Sequence, residues 1–199
     1  MTDKDISSRV RLRDLKTLSD NHYTLRRADF AWRRGDGTWQ DLSRESYDLG
    51  DGAAVLPIDA RAGKVLLIRQ FRWPAFERGE RQLLVEAVAG KLDGDDPETC
   101  VIREAMEEAG IAIASPRLVT HCFMSPGAVT ERLSLFLADY DAAAPRGKGG
   151  GHAQEGEDIE VLEVTLDDAL AMIGRGEIID AKTILLLQAA KLRVSSPSP

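Results

Sequence analysis

Glu104, Glu107 and Glu108 follow one another in the pattern E-x-x-E-E inside a run of helical character. At about 100° per residue of α-helix they fall within roughly 100° of one another around the helix surface, so their carboxylates converge. Like charges at that spacing repel by a few tenths of a kcal/mol per pair, and a helix gains nothing from them unless solvent screens them or a cation sits between them. Mg²⁺ suits the second case, being a hard ion that takes carboxylate oxygens and keeps coordination positions for water and phosphate. A plain solvated acidic face is the competing reading, and the spacing alone leaves both open.

The element that must hold these carboxylates runs from Pro97 to Ala109. Asp96 can cap it by accepting from free backbone N–H groups, Pro97 fits a first position that needs no donor, and Glu98 suits the positive N-terminal end. Val101, Ile102, Ala105, Met106 and Ala109 recur at three- and four-residue steps, which predicts one apolar stripe against a core. Gly110 then ends the helix in a left-handed cap.

With 199 residues, 43% of them hydrophobic and 30% charged, the chain has the makeup of one globular unit with a full core. A net charge of −7 disfavours a nonspecific nucleic-acid surface, so no nucleic-acid partner is expected. An anionic substrate would be met by local arginines and a metal rather than by the overall field. No basic leader with an apolar run opens the chain and no apolar segment approaches membrane length, so no membrane partner is expected and the cytoplasm is the default. Cys100 and Cys122 lack metal or redox spacing and read as small core residues of a reducing compartment.

Residues 1 to 17 are polar and charged, a strand or a loose arm. Tyr23 to Trp32 and Thr38 to Tyr47 favour strands around the turn Gly35-Asp36-Gly37, a β-hairpin that needs a packing surface because a two-stranded ribbon is not stable alone. Ala53 to Ile58 and Lys64 to Arg72 form a second pair through the Asp59 to Gly63 turn. The unbroken run Val65-Leu66-Leu67-Ile68 predicts a strand covered on both faces, hence helices on both sides of a sheet. Leu83 to Val88 supplies a short strand before the glutamate helix. Arg117 to Met124, Leu133 to Tyr140 and Ile159 to Thr165 follow as strands, with Ser125 to Glu131 linking the first two. The glycine-rich stretch from Asp141 to Glu157 reads as a mobile loop. Asp167 is expected to cap a short helix to Ile173, and Asp180 to start a last helix.

Ala89-Gly90, Gly94, Arg103-Glu104 and Glu107-Glu108-Ala109-Gly110-Ile111 together resemble the signature box of the Nudix hydrolases: G, five residues, E, seven residues, then R-E-U-x-E-E-x-G-U with U apolar. The helical half matches fully. Gly90 stands one residue nearer Arg103 than the pattern has it, and Asp96 occupies the place of the internal glutamate. The segments Leu18-Ser19-Asp20-Asn21, Leu67 to Arg72, Ala89 to Asp93, Met124 to Gly127, Gly149-Gly150-Gly151, Glu157 to Leu162 and Lys182-Thr183, in that order, are similar to the GDP-mannose pyrophosphatase branch, which shares the shortened box.

This resemblance implies an α/β protein, a Nudix α/β/α sandwich with a mixed central sheet and an N-terminal antiparallel β-hairpin subdomain. Residues 1–50 would be a dimerising β arm and 51–199 the hydrolase domain. It implies Mg²⁺-dependent hydrolysis of the pyrophosphate bond of a nucleoside diphosphate sugar, with Mn²⁺ as a substitute ion and GDP-mannose, giving GMP and mannose 1-phosphate, as the first substrate. ADP-ribose pyrophosphatase is the alternative among enzymes, and a nucleotide-sugar binding module without catalysis the alternative outside them. A homodimer is implied with it.

By the same resemblance the side chains of Glu104, Glu108 and Glu157 and the backbone carbonyl of Ala89 are metal ligands, and Glu157, Glu107 and Glu108 carry catalysis. Glu107 serves a second ion or a water, and Glu157 is ligand or general base. Glu155 competes with Glu157 because the loop is longer than in the branch; Glu157-Asp158-Ile159-Glu160 retains the motif and favours Glu157. His22, Arg44, Glu45, Arg72, Ala89, Glu131 and Lys182 are the implied substrate contacts, His22 standing where the branch has an aromatic that reaches over from the partner chain. Arg103 reads as a structural partner of the carboxylates beside it. Glu86 is either a support of the metal shell or a strand-end carboxylate on solvent. His121 and His152 have no companions at ligand spacing and read as a strand residue and a loop residue.

Overall fold

The computed structural model of the chain describes residues 5–194; residues 1–4 of the expected arm lie outside it. Two units emerge, one of residues 1–50 with 123–131, the other of residues 51–122 with 132–199.

In the first unit the expected hairpin gains a third strand. The arm is strand β1 (Val10–Asp20), which pairs antiparallel with β2 (Thr24–Arg33), and β2 pairs in turn with β3 (Trp39–Asp48). The turn between β2 and β3 closes where expected: Asp36 Oδ1 accepts from the Thr38 N–H at 2.9 Å, and Gly37 takes a φ of 87° that a side chain would resist. Alternation sorts the faces. Val10 faces Trp32, Leu12 faces Phe30 and Leu15 faces Ala28, so the β1–β2 part of one side is apolar, with Gln40, Leu42 and Arg44 of β3 in register beside it, and Val10, Leu12, Leu15 and Leu18 are all exposed. The Ser125 to Glu131 linker joins this unit: Tyr47 N–H donates to Ala128 O at 2.8 Å and Thr130 N–H to Tyr47 O at 3.1 Å.

The second unit is built on a mixed sheet. Strands β4 (Gly52–Asp59) and β5 (Lys64–Gln70) meet only at Ile58 with Val65 and Asp59 with Lys64, and then part. After a single-turn helix α1 (Trp73–Glu77), absent from the sequence reading, the chain fills the gap. Strand β6 (Leu84–Glu86) runs against β5 and β7 (Val88–Lys91) against β4. The single strand expected over Leu83 to Val88 is therefore two, broken at Ala87. Helix α2 (Pro97–Ala109) follows, then β8 (Ala114–Phe123), β9 (Arg132–Asp139) parallel to β4, and β10 (Glu160–Thr165) antiparallel to β5. The order is β10-β5-β4-β9-β8. Helices α3 (Leu166–Gly174) and α4 (Ala181–Val194) close the unit.

Both sheet faces are covered, as the apolar run in β5 predicts. Ala53, Val55, Leu66, Ile68, Phe136 and Ala138 pack with Cys100, Val101, Ala105 and Ala109 of α2. The alternate positions Ala54, Leu56, Leu67, Leu135 and Leu137 are equally buried, with Leu186 and Leu187 of α4, which lies against β4 and β9. Asp180 begins α4 as expected, its Oδ2 accepting from the Thr183 N–H at 3.0 Å. For α3 the cap is Thr165, whose Oγ1 accepts from the Asp168 N–H at 3.0 Å, so Asp167 sits inside the first turn.

Candidate active site

Asp96 starts α2 by accepting from the N–H groups of Glu98 (3.0 Å) and Thr99 (3.1 Å), and Gly110 ends it at a φ of 66°. Before it, Asp93 and Gly94 at φ 46° and 98° turn the chain between Leu92 and Asp95. The helix faces the sheet by Val101, Ala105 and Ala109 of the expected stripe, which is turned away at its other edge. Ile102 and Met106 are 46% and 47% exposed, and the buried side is Cys100, Val101, Ala105, Glu108 and Ala109. The rotation carries Glu108 inward, to 1% exposure, and leaves Glu104 and Glu107 along the rim of the same face.

Strand β7 meets these carboxylates with its backbone. The Ala89 N–H donates to Glu108 Oε2 at 3.2 Å. Gly90 is glycine for a steric reason: a Cβ there would stand 1.8 Å from Glu104 Oε1 and 2.6 Å from its Cγ, so no rotation of the carboxylate tip alone would clear it. Arg103, read as structural, lies across the rim with Nη1 at 2.9 Å from Glu104 Oε1 and from Glu107 Oε2, and Nη2 donating to Lys91 O at 3.3 Å.

The glycine loop, expected to be mobile, is anchored to the far end of α2. N–H groups of Gly147, Gly150 and Gly151 donate to the carbonyls of Gly110, Glu108 and Glu107 at 2.6, 2.8 and 3.0 Å. Those carbonyls have no partner within the helix, and the loop supplies it. Any side chain at Gly149 would touch the α2 backbone at Glu108 and Ala109, and one at Gly151 would strike Glu157 Oε2 at 2.5 Å. The loop delivers Glu157 to the cluster, where its charge acts on both Glu104 and Glu108. The Glu155 side chain lies outside what is described. His152, read as a plain loop residue, donates its N–H to Glu157 Oε2 at 2.8 Å and sets Nε2 3.5 Å from Glu107 Oε1. Its place between the triple glycine and Glu157 was the one sign of this role in the sequence.

Burial, and next the charge of Glu104, push the Glu108 carboxyl up to about 8, with the Ala89 N–H opposing. Burial also raises the Glu104 carboxyl; Arg103 opposes that, and Glu107 and Glu157 add to it. Among the described residues no three carboxylate, imidazole or thiol side chains enclose an ion as they stand, and Arg103 is the cation among them. The donor chemistry fits a hard divalent ion: all-oxygen, acidic, and held against its own repulsion by burial.

Beside the cluster lies a second charged group. Glu86, 2% exposed, is neither on solvent nor in the acidic cluster. Arg72 donates to it through Nε (2.9 Å) and Nη2 (3.1 Å), and Lys182 through Nζ (2.6 Å). Burial alone would raise the Glu86 carboxyl, but the arginine fork and the ammonium outweigh it and hold it below the ordinary range. Lys182 also meets Asp180 Oδ1 at 3.0 Å, and Thr183 Oγ1 accepts from the Ala87 N–H at 2.6 Å, so the start of α4 holds the break between β6 and β7.

The remaining expected substrate contacts lie in the N-terminal unit, in surroundings of their own. His22 sits in the β1–β2 turn with its ring 4.3 Å from that of Tyr23; Arg44 Nη1 donates to Ser43 O at 2.8 Å; Glu45 pairs in register with Arg27; Glu131 ends the linker. His121 in β8 hydrogen-bonds through Nδ1 with Ser134 Oγ at 2.9 Å, a strand residue as read.

Comparison with known proteins agrees with this arrangement. Residues 48–187 match the NUDIX domain and residues 9–47 the GDP-mannose pyrophosphatase NudK N-terminal domain. The chain is 44% identical over 189 residues to a GDP-mannose pyrophosphatase of Pectobacterium atrosepticum, covering 94% of this chain and 97% of that one. It is 45% identical over 173 residues to that of Escherichia coli O1:K1, covering 86% and 90%. A crystal structure of an ADP compounds hydrolase shares the fold, with a TM-score of 0.70 at 14% identity over 94% of both chains. Nudix hydrolases generally work with a divalent metal. With α2, the glycine at its flank and the loop glutamate at its end in one unit, and with relatives this similar along almost the whole length, the chain belongs to the Nudix hydrolase family.

Proposed function

We propose that this chain hydrolyses the pyrophosphate bond of a nucleoside diphosphate sugar with Mg²⁺, Mn²⁺ being a substitute, and that GDP-mannose, split to GMP and mannose 1-phosphate, is its first substrate. The observation that carries the reaction type is Glu108, enclosed beside Glu104 and Glu157 with its carboxyl driven up to about 8. The choice of GDP-mannose rests on the relatives at 44% and 45% identity.

Glu104, Glu108, Glu157 and the Ala89 carbonyl would hold the ion. When bound, it offsets negative charge on the diphosphate oxygens and lowers the pKa of water. The rest of the chemistry belongs to the chain. Glu157, with one oxygen accepting from the His152 N–H, has the other to take a proton from an attacking water. Glu107 sits across from His152 and under Arg103, on the same helical face. Arg72 and Lys182 offer positive charge to the phosphates. His22, Arg44, Glu45 and Glu131 are read as contacts for base and sugar. We read the enzyme as a cytoplasmic homodimer: Cys100 and Cys122 are not joined in a disulfide, and the exposed apolar residues of the N-terminal sheet are suited to a second copy.

The test is a panel of GDP-mannose, other GDP- and UDP-sugars and ADP-ribose with Mg²⁺, with product identification. Fastest turnover of GDP-mannose to GMP and mannose 1-phosphate is expected. Tight binding of these ligands with no turnover would favour a binding module, and preference for ADP-ribose would move the substrate class. Light scattering should give a dimer; a fully active monomer refutes that part.

A further inference from the structure

Glu86 is the most deeply placed charge that the proposed reaction leaves without a task. It bears one negative charge between two positive ones. Arg72 gives it Nε and Nη2, which leaves Nη1 and the outward edge of the guanidinium unused by the fork. That guanidinium is half-buried, and its charge is felt at Glu108. Lys182 reaches the same carboxylate from the start of α4, where Asp180 gives it a second anion and Thr183 ties that end to the Ala87 N–H. Arg72 follows β5, Glu86 ends β6 and Lys182 opens α4, so one carboxylate fixes side chains from three elements.

We propose that Glu86 is a positioning residue: it aims the Arg72 guanidinium and the Lys182 ammonium at the diphosphate of the substrate, and takes no part in holding the metal. An arginine free to swing would offer the same charge at a cost in order. A carboxylate gripping one edge of its planar fork leaves the other edge preset for phosphate oxygens. With Asp180 as the second anion the group is balanced in charge, so what Glu86 supplies is the direction in which the donors point. The proposal rests on the reading of the site as a diphosphate-cleaving one, and the test separates the two.

The experiment measures kcat, KM and melting temperature for Glu86→Gln, Arg72→Ala and the double variant, at saturating Mg²⁺. Binding of inorganic pyrophosphate with Mg²⁺ is followed by calorimetry in parallel. Glu86→Gln is expected to raise KM about tenfold while kcat changes less than about threefold, and to weaken pyrophosphate about tenfold. In the Arg72→Ala background the same substitution should change KM by less than about twofold, because the group it aims is gone. A lowered melting temperature with KM and pyrophosphate affinity unchanged would overturn the proposal, as would KM effects that simply multiply in the double variant. If Glu86→Gln does not fold, Glu86→Asp, which keeps the charge on an arm too short for both partners, carries the test: KM should rise at least about threefold, and an unchanged KM overturns it. Wild-type protein that turns over no nucleotide sugar would defeat the reading of the function, while pyrophosphate binding would still decide the role of Glu86.

Discussion

Glu86 and Glu108 are both nearly sealed from water, at 2% and 1% exposure, yet their carboxyls move in opposite directions. Glu86 is answered within the chain by Arg72 and Lys182. Glu108 is answered by one backbone N–H and faces two further glutamates. A buried charge with partners supports the fold, whereas one without them leaves a demand that something outside the chain must meet. That difference separates a group that builds the site from one that works in it.

The comparison is sharpest at Glu108 itself. Glu108→Gln is expected to lower kcat by on the order of a thousandfold, by loss of an oxygen ligand and its charge. Its melting temperature at pH 8 in EDTA should hold or rise, since the amide can still accept from the Ala89 N–H without a buried charge. A clear fall in melting temperature would erase the contrast. At Glu86 the larger loss is in stability: Glu86→Ala takes the carboxylate from Arg72 and leaves Lys182 with Asp180 alone, and should cost about 3 kcal/mol in urea denaturation. A loss below about 1 kcal/mol would reduce the network to the rank of surface pairs.

Gly90→Ala probes how the site is held open for Glu104. Displacing that side chain should lower kcat by on the order of tenfold to a hundredfold and raise the Mg²⁺ needed for half-maximal rate. Unchanged Mg²⁺ dependence would mean that Glu104 can shift without consequence. The smallest effect is a slope with pH. Folded Glu108 keeps its proton up to about 8, whereas the unfolded chain releases it near the ordinary glutamate value of about 4.3. Between those values the folded state binds the extra proton, so this group's contribution to stability is present below about 4.3 and is lost as pH rises towards 8. The melting temperature in EDTA should therefore decline over that window, and Mg²⁺ should raise it more at pH 8.5 than at pH 5.5. An equal Mg²⁺ effect at both would break the assignment.

Where structure is dictated locally, the sequence was enough. Asp96, Pro97 and Gly110 bound α2 because caps are contacts between a side chain and its own backbone. The apolar run of β5 gave away both covered faces. What escaped depends on distant residues. The break at Ala87 is held by Thr183, far along the chain, and the turning of α2 that buries Glu108 rather than Met106 is set by the sheet. Helix α1 is too short to show periodicity. Four of the acidic site residues were legible as a family pattern, while the parts played by Glu86 and His152 arise only when separate elements meet.

The glycine loop has a consequence for which changes of length this enzyme tolerates. Gly147, Gly150 and Gly151 are pinned to the end of α2, and Glu157 is tied back by its own N–H to His152 O at 3.2 Å, with Ile159 N–H returning to Gly150 O at 3.2 Å. Residues added between Asp141 and Arg146 lengthen a stretch that ends before the first pin. One residue added between Gly151 and Glu157 shifts the glutamate out of phase with both ties. Insertions should thus accumulate on one side of the glycines and be excluded from the other, so that a spacing of a few residues, more than any single side chain, keeps the loop glutamate in register with the helix.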